Sequence, residues 1–151
     1  MSEPPVFARI AADLLPVFEE LRRLEPIFHT REFGTTVADF ERRMAPGYFE
    51  VGASGRRYSR AFILATLAEP LLEDTGAAGW ECSEFGLRAL GADTFLLTYT
   101  LRQGQRVTRR ATLWRRGSEG WQIVYHQGTI ATGGEDDTAP AEGEKPHPPQ
   151  E

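Results

Sequence analysis

The sequence predicts an α+β domain, with helices in the first half, an antiparallel sheet in the second, and the helices gathered on one sheet face. Three observations carry this. Over residues 6–29 the apolar side chains Leu14, Leu15, Phe18, Leu21, Leu24 and Phe28 recur at spacings of three and four, one stripe of a helix. From Trp80 onward the texture changes to four strand-like runs linked by short turns that contain glycine. Within them, Arg106–Ile130 (RVTRRATLWRRGSEGWQIVYHQGTI) reads as two long antiparallel strands joined at Gly117-Ser118-Glu119-Gly120, each carrying a tryptophan, Trp114 and Trp121.

In chain order, the first helix is expected to start near Pro16, with Asp13 as a cap, and to kink or end around Leu24–Glu25 because Pro26 follows. A second helix follows Thr36, with Val37, Phe40 and Met44 inward and Asp39, Glu41, Arg42 and Arg43 outward; Pro46-Gly47 stops it. Tyr48–Ala53 is a short strand running into a Ser54-Gly55-Arg56-Arg57 turn. Ser59 caps a third helix, SRAFILATLAEPLL, ended by Pro70 and Gly76. The four runs are Trp80–Leu90, Thr94–Gln103, Arg106–Arg116 and Trp121–Ile130.

A chain of 151 residues with 40% apolar content makes one domain, residues 1–132, large enough for a core. Residues 133–151, GGEDDTAPAEGEKPHPPQE, are acidic and rich in Pro and Gly, and are expected to stay disordered. That tail carries six acids against Lys145, a net of −5 and so the whole formal charge of the chain; residues 1–132 balance sixteen acids with sixteen arginines. Such a neutral body gives no footprint for nucleic acid or membrane. The start, MSEPPVFARI, has no basic stretch leading into an apolar one, and no run is long enough to span a bilayer. Cys82 is the only cysteine, which excludes an internal disulfide and suits the cytoplasm; with three histidines it offers no zinc set. No metal and no cofactor is expected.

Strand alternation groups Phe95, Leu97, Tyr99 and Leu101 on one face, Val107, Ala111 and Leu113 on one, and Ile123 with Tyr125 on one. The opposite faces hold Leu96, Trp114, Val124 and Ile130 among threonines. Apolar content on both sides of a sheet is expected to be covered on both sides: helices take one face and a second copy of the chain takes the other, giving a homodimer.

The order of elements, together with Glu50-Val51-Gly52, Ser54-Gly55, Trp114 and His126-Gln127-Gly128-Thr129, resembles the nuclear transport factor 2-like superfamily, the cone-shaped fold of ketosteroid isomerase and SnoaL-like cyclases. The likeness covers roughly residues 12–132 and is nearest to a bacterial branch classed as a domain of unknown function. It implies a curved sheet wrapping helices around a pocket, and frequent dimers packed through the sheet. It implies no activity, because the fold hosts isomerases, dehydratases, cyclases and binding modules. The ketosteroid isomerase base and oxyanion pair have no matching positions here.

His126 has the pKa range of a general acid or base, and alternation puts it with Val124 and Gly128; it is read equally as a strand-locking hydrogen-bonding group. Glu50 is either a proton shuttle raised in pKa beside an apolar cone or a turn-stabilising acceptor. Tyr58, Tyr99 and Trp114 are pocket-lining aromatics or plain core, and Thr112 and Gln127 complete the candidate ligand contacts. The arginine run Arg102, Arg106, Arg109, Arg110, Arg115 and Arg116 holds an anion or the acidic tail, or forms a solvated rim or cross-strand salt bridges. Three functions follow: a small-molecule binder with an apolar pocket; a cofactor-free isomerase, dehydratase or cyclase using Glu50 or His126 for proton transfer; and an interaction or immunity-type module.

Overall fold

The computed structural model describes residues 3–25, 35–67 and 80–132. Two 3-10 turns, Val6–Ala8 and Ala12–Leu14, lead into α1 (Leu15–Arg22). The helical stripe read over residues 6–29 is thus broken into short turns before Leu15, and the main helix starts beside Pro16, where it was expected. Pro16 has no N–H to donate back along the chain, so a helix can begin at it but not run through it, and it occupies the first turn of α1. α1 buries Phe18 and Leu21, and Leu24 is buried just beyond its end. Pro26 and Phe28, expected to end and to continue this stripe, lie outside the described residues.

α2 (Val37–Arg43) starts where the sequence places it, because Thr36 and Asp39 form a capping box: Asp39 N donates to Thr36 Oγ1 at 3.1 Å and Thr36 N to Asp39 Oδ2 at 3.2 Å. Pro46-Gly47 does not end it. β1 (Met44–Val51) begins at once, earlier than the strand expected at Tyr48, and both residues sit where its register against the last strand shifts. A proline without an N–H is tolerated at such an irregularity. A turn with Gly55 at φ +91° leads to β2 (Arg57–Ser59). Ser59 Oγ then accepts from Phe62 N at 3.1 Å to open α3 (Arg60–Leu67). The remainder of the expected third helix, with Pro70 and Gly76, lies outside the described residues, as does the tail 133–151.

The four runs are β3 (Glu81–Ala89), β4 (Thr94–Gln103), β5 (Arg106–Gly117) and β6 (Gly120–Ile130), each within a residue or two of expectation. One six-stranded curved sheet results, in the order β2-β1-β6-β5-β4-β3. It is mixed and not wholly antiparallel, since β1 runs parallel to β6. No hairpin joins these two strands, so no turn dictates their direction. Ile10 bridges to Leu87 beside β3, and Leu87 N donates to Arg9 O, so the N-terminal segment covers that edge of the sheet.

The core forms between the helices and one sheet face. It contains Phe18, Leu21, Phe40, Met44, Tyr48, Phe95, Leu97, Tyr99, Leu101, Trp114, Trp121 and Ile123. Two of the expected face groupings change. Phe95 pairs with Trp114, so Trp114 turns inward and Ala111 and Leu113 turn outward. On β6, Leu113 pairs with Tyr125 but Trp114 with Ile123, leaving Val124 as the extra residue of a β-bulge. The bulge places Ile123 inward and Tyr125 outward, although they are two residues apart. His126 and Gly128 face the core.

Candidate functional site

One cross-strand row organises the inward face. Tyr58 on β2 is the register partner of Glu50 on β1, Glu50 of His126 on β6, His126 of Thr112 on β5, and Thr112 of Leu97 on β4. Direct partners in a sheet share a face, so four of the nominated residues stand side by side. Tyr99 and Trp114 lie on the flanking rows. Gln127 does not join them. It faces outward beside Tyr125, whose hydroxyl donates to its side-chain oxygen.

The row gathers around a residue the sequence reading did not nominate. Glu25 is 6% exposed and follows directly on the apolar stripe of α1. It accepts from the Tyr99 hydroxyl at 2.6 Å and from Trp114 Nε1 at 3.3 Å, and the Thr112 hydroxyl also bonds to it. Burial raises its carboxyl to about 7 against the pull of these hydrogen bonds and of the Arg110 charge. Its position was a usable signal: Glu25 is four residues after Leu21 and seven after Phe18, on the side of the helix that has to be buried.

Arg110 is the second omission. It was weighed only as one of a run of arginines that holds an anion or forms a solvated rim, and it faces inward on the row next to His126. Its Nε donates to Thr108 Oγ1 at 2.9 Å and its Nη1 approaches His126 Nε2 at 3.4 Å. A guanidinium can only donate, so Nε2 is the acceptor nitrogen. The neutral ring then carries its proton on Nδ1, which donates to Thr112 Oγ1 at 2.8 Å. The hydrogen bonds thus run from Arg110 to His126 to Thr112, and the Thr112 hydroxyl lies close enough to Glu25 to favour its charged form. Gly128 makes room for the first step, because a Cβ there would lie 2.7 Å from Arg110 Nη1.

This environment corrects the expectation of a near-neutral His126. Burial first, and the Arg110 charge second, hold its pKa down to about 3, so the ring is neutral at physiological pH. The carboxyl suited to proton exchange on this face is a glutamate. Glu50 accepts from the Tyr48 hydroxyl at 2.9 Å; burial raises its pKa, and the Tyr48 bond and Arg110 oppose the rise only partly. Glu50, Tyr58 and Arg110 are half-buried, whereas Glu25, His126 and Thr112 are buried. The row therefore has an accessible end and an enclosed one. Tyr99 and Trp114 serve the enclosed end as donors packed in the core.

The outward face holds a groove of about 750 Å³ lined by Phe7, Leu96, Ala111, Leu113, Tyr125 and Gln127, among others. At one wall Glu84, in a β3 bulge at φ +56°, accepts from Arg109 at 3.1 Å and from Thr100 at 2.8 Å. Cys82 packs against the core, and burial pushes its thiol up to about 11. Among the described residues no three His, Cys, Asp or Glu side chains gather as a metal set, and no helix is long and apolar enough to cross a membrane.

No family model and no curated protein matches the chain. Solved structures do. A protein of unknown function from the DUF3225 family of Pectobacterium atrosepticum has 20% identity and a TM-score of 0.60, covering 81% of this chain and 94% of its own. A cystatin-like fold protein from Burkholderia xenovorans has 14% identity and a TM-score of 0.59, covering 79% and 92%. A nuclear transport factor 2-like protein from Cytophaga hutchinsonii has 12% identity and a TM-score of 0.55, covering 82% and 100%. The chain has the nuclear transport factor 2-like fold, as its sequence motifs led one to expect.

Proposed function

We propose that this protein binds a small molecule on the helix-facing side of its sheet, at the accessible end of the row, where Glu50, Tyr58 and Arg110 stand together. The observation that supports this is the density of polar side chains in a place that folding alone would fill with apolar ones. Buried carboxyl, imidazole and guanidinium groups cost free energy that a hydrophobic set of equal volume does not. Glu50 and Arg110 are the ligand contacts. His126, Thr112 and Glu25 hold Arg110 in position from behind, with Tyr99 and Trp114 fixing Glu25.

A second reading, cofactor-free proton transfer, draws on Glu50. It is a half-buried carboxyl biased toward its protonated form, able to give and retake a proton from a bound substrate. His126 then acts as a positioning residue, because its neutral ring is spent on Thr112.

Native mass spectrometry of freshly purified protein tests the binding reading. A non-covalent adduct that disappears on denaturation and is lost in Glu50→Gln supports it. A clean protein whose melting temperature no member of a small-molecule library shifts would sink it.

We further propose that two copies pair through the outward face, where Leu96, Ala111, Leu113 and Tyr125 form an apolar groove and Phe49 is 46% exposed at its margin.

A further inference from the structure

Arg110 stands on the inward face with Glu50 and Glu25 acting on it through space but in no direct ion pair among the described residues. The described residues form four ion pairs, Arg9–Glu3, Arg22–Glu19, Arg42–Asp39 and Arg109–Glu84, and Arg110 is in none of them. Its Nε and Nη1 are directed at Thr108 and His126, which are neutral acceptors, and its second terminal nitrogen makes no hydrogen bond among the described residues. A half-buried guanidinium whose hydrogen bonds go only to neutral groups keeps donor capacity that an anion can take up. The seat is built for this side chain: Gly128 leaves the space over β6 that the guanidinium occupies, Thr108 is wholly buried beneath it, and His126 presents its acceptor nitrogen to it.

Resting on the ligand site proposed above, we propose that Arg110 takes the carboxylate of a small organic acid, with Glu50 beside it contacting the second carboxylate oxygen. The neighbouring charges set the class. Glu25 and Glu50 both act electrostatically on Arg110 and reduce the positive potential an anion meets, which favours a singly charged acid over a doubly charged phosphate. A singly charged carboxylate matches the planar guanidinium fork in a way an amide does not. Glu50 in its protonated form donates to the acid, while the ionised form repels it, so acid binding weakens as pH rises through the Glu50 titration.

The test uses the full chain and three probe acids, acetate, benzoate and phenylacetate, each beside its neutral amide, and inorganic phosphate. Thermal shift and titration calorimetry provide the readouts. At least one acid should raise the melting temperature saturably, with its amide about tenfold weaker or more, as expected on losing a charge-assisted pair. Gly128→Ala should fold, since the group a new methyl meets is the far end of a flexible side chain, and it should lose acid binding by a similar factor because Arg110 is pushed from its seat.

An amide that binds as well as its acid, or a folded Gly128→Ala that binds the acid like the wild type, overturns the Arg110 assignment and leaves small-molecule binding standing. Tighter binding of phosphate than of every acid overturns the choice of carboxylate. If no probe binds and native mass spectrometry shows no adduct, both the assignment and the binding reading fall. Should Gly128→Ala not fold, the comparison of acid with amide on the wild type decides alone.

Discussion

Tyr99 donates its hydroxyl to Glu25 at 2.6 Å, joining the middle of the sheet to the end of the first helix across 74 residues of chain. The bond fixes a buried carboxyl whose pKa is about 7 beside a histidine whose pKa is about 3, and the two oppose each other in their effect on stability. Glu25 is raised above its ordinary value of 4.5, so the stability it supplies is complete below that pH and is lost as pH rises through about 7. His126 is depressed from 6.5, so its contribution is complete above that pH and is lost as pH falls toward about 3. Between 4.5 and 6.5 these two contributions offset each other, and Glu50, also raised from 4.5, adds its own loss as pH rises. Relative to the wild type, Glu25→Gln should gain about 1.4 kcal/mol of stability per pH unit across this window, because the Glu25 loss is removed. Denaturant unfolding at half-unit pH steps measures this; a variant profile that overlays the wild type would show that Glu25 does not titrate in this window.

His126→Ala should cost about 1–3 kcal/mol, because it opens a gap and leaves the wholly buried Thr112 hydroxyl without its donor. Chemical denaturation at pH 7.5 gives the value. An unchanged midpoint would mean that His126 is held for the ligand alone, and would move it from a positioning to a contacting role.

Much of the fold could be read from the residues, and the limits have physical causes. Strand and turn positions from β3 to β6 followed from glycines and β-formers that act locally. Which strand faces meet did not follow, because alternation fixes the two sides of one strand and not its register against the next. The bulge at Val124 then inverts the pattern midway along β6. Glu50, His126, Thr112, Tyr99 and Trp114 were nominated and come together, whereas Gln127 lies on the far face. Glu25 was passed over because a carboxyl next to a proline at a helix end looks solvent-facing until Tyr99 and Trp114 are seen to reach it. Arg110 was not singled out from its run of six arginines, weighed together as an anion site or a rim, because its inward seat depends on a glycine eighteen residues later.

The outward face yields a separate prediction. Leu113→Glu places a charge at the centre of the apolar groove while leaving the core untouched, since Leu113 faces away from the helices. If two copies pair there, size-exclusion chromatography with light scattering should show a dimer for the wild type and a monomer for the variant, with the far-ultraviolet circular dichroism spectrum preserved. A monomeric wild type, or a variant that still dimerises, would locate any pairing elsewhere.

Gly86 on β3 tests how the N-terminal segment is held. A Cβ at this position would lie 2.3 Å from the Phe7 carbonyl oxygen and 3.0 Å from Thr98 Oγ1. The first of these is backbone, tied down by the bridge between Ile10 and Leu87 and by the Thr98 hydroxyl, which donates to the same Phe7 oxygen at 3.4 Å. No rotamer change relieves such a clash, so either β3 or the segment has to move. Gly86→Ala should therefore destabilise the fold by about 1–3 kcal/mol, the usual range for overpacking. Hydrogen exchange should report the loss locally, with the Leu87 amide, which donates to Arg9 O, losing protection well before the centre of β5 does. Equal protection in variant and wild type would mean that the segment yields without cost and contributes nothing to guarding that edge of the sheet.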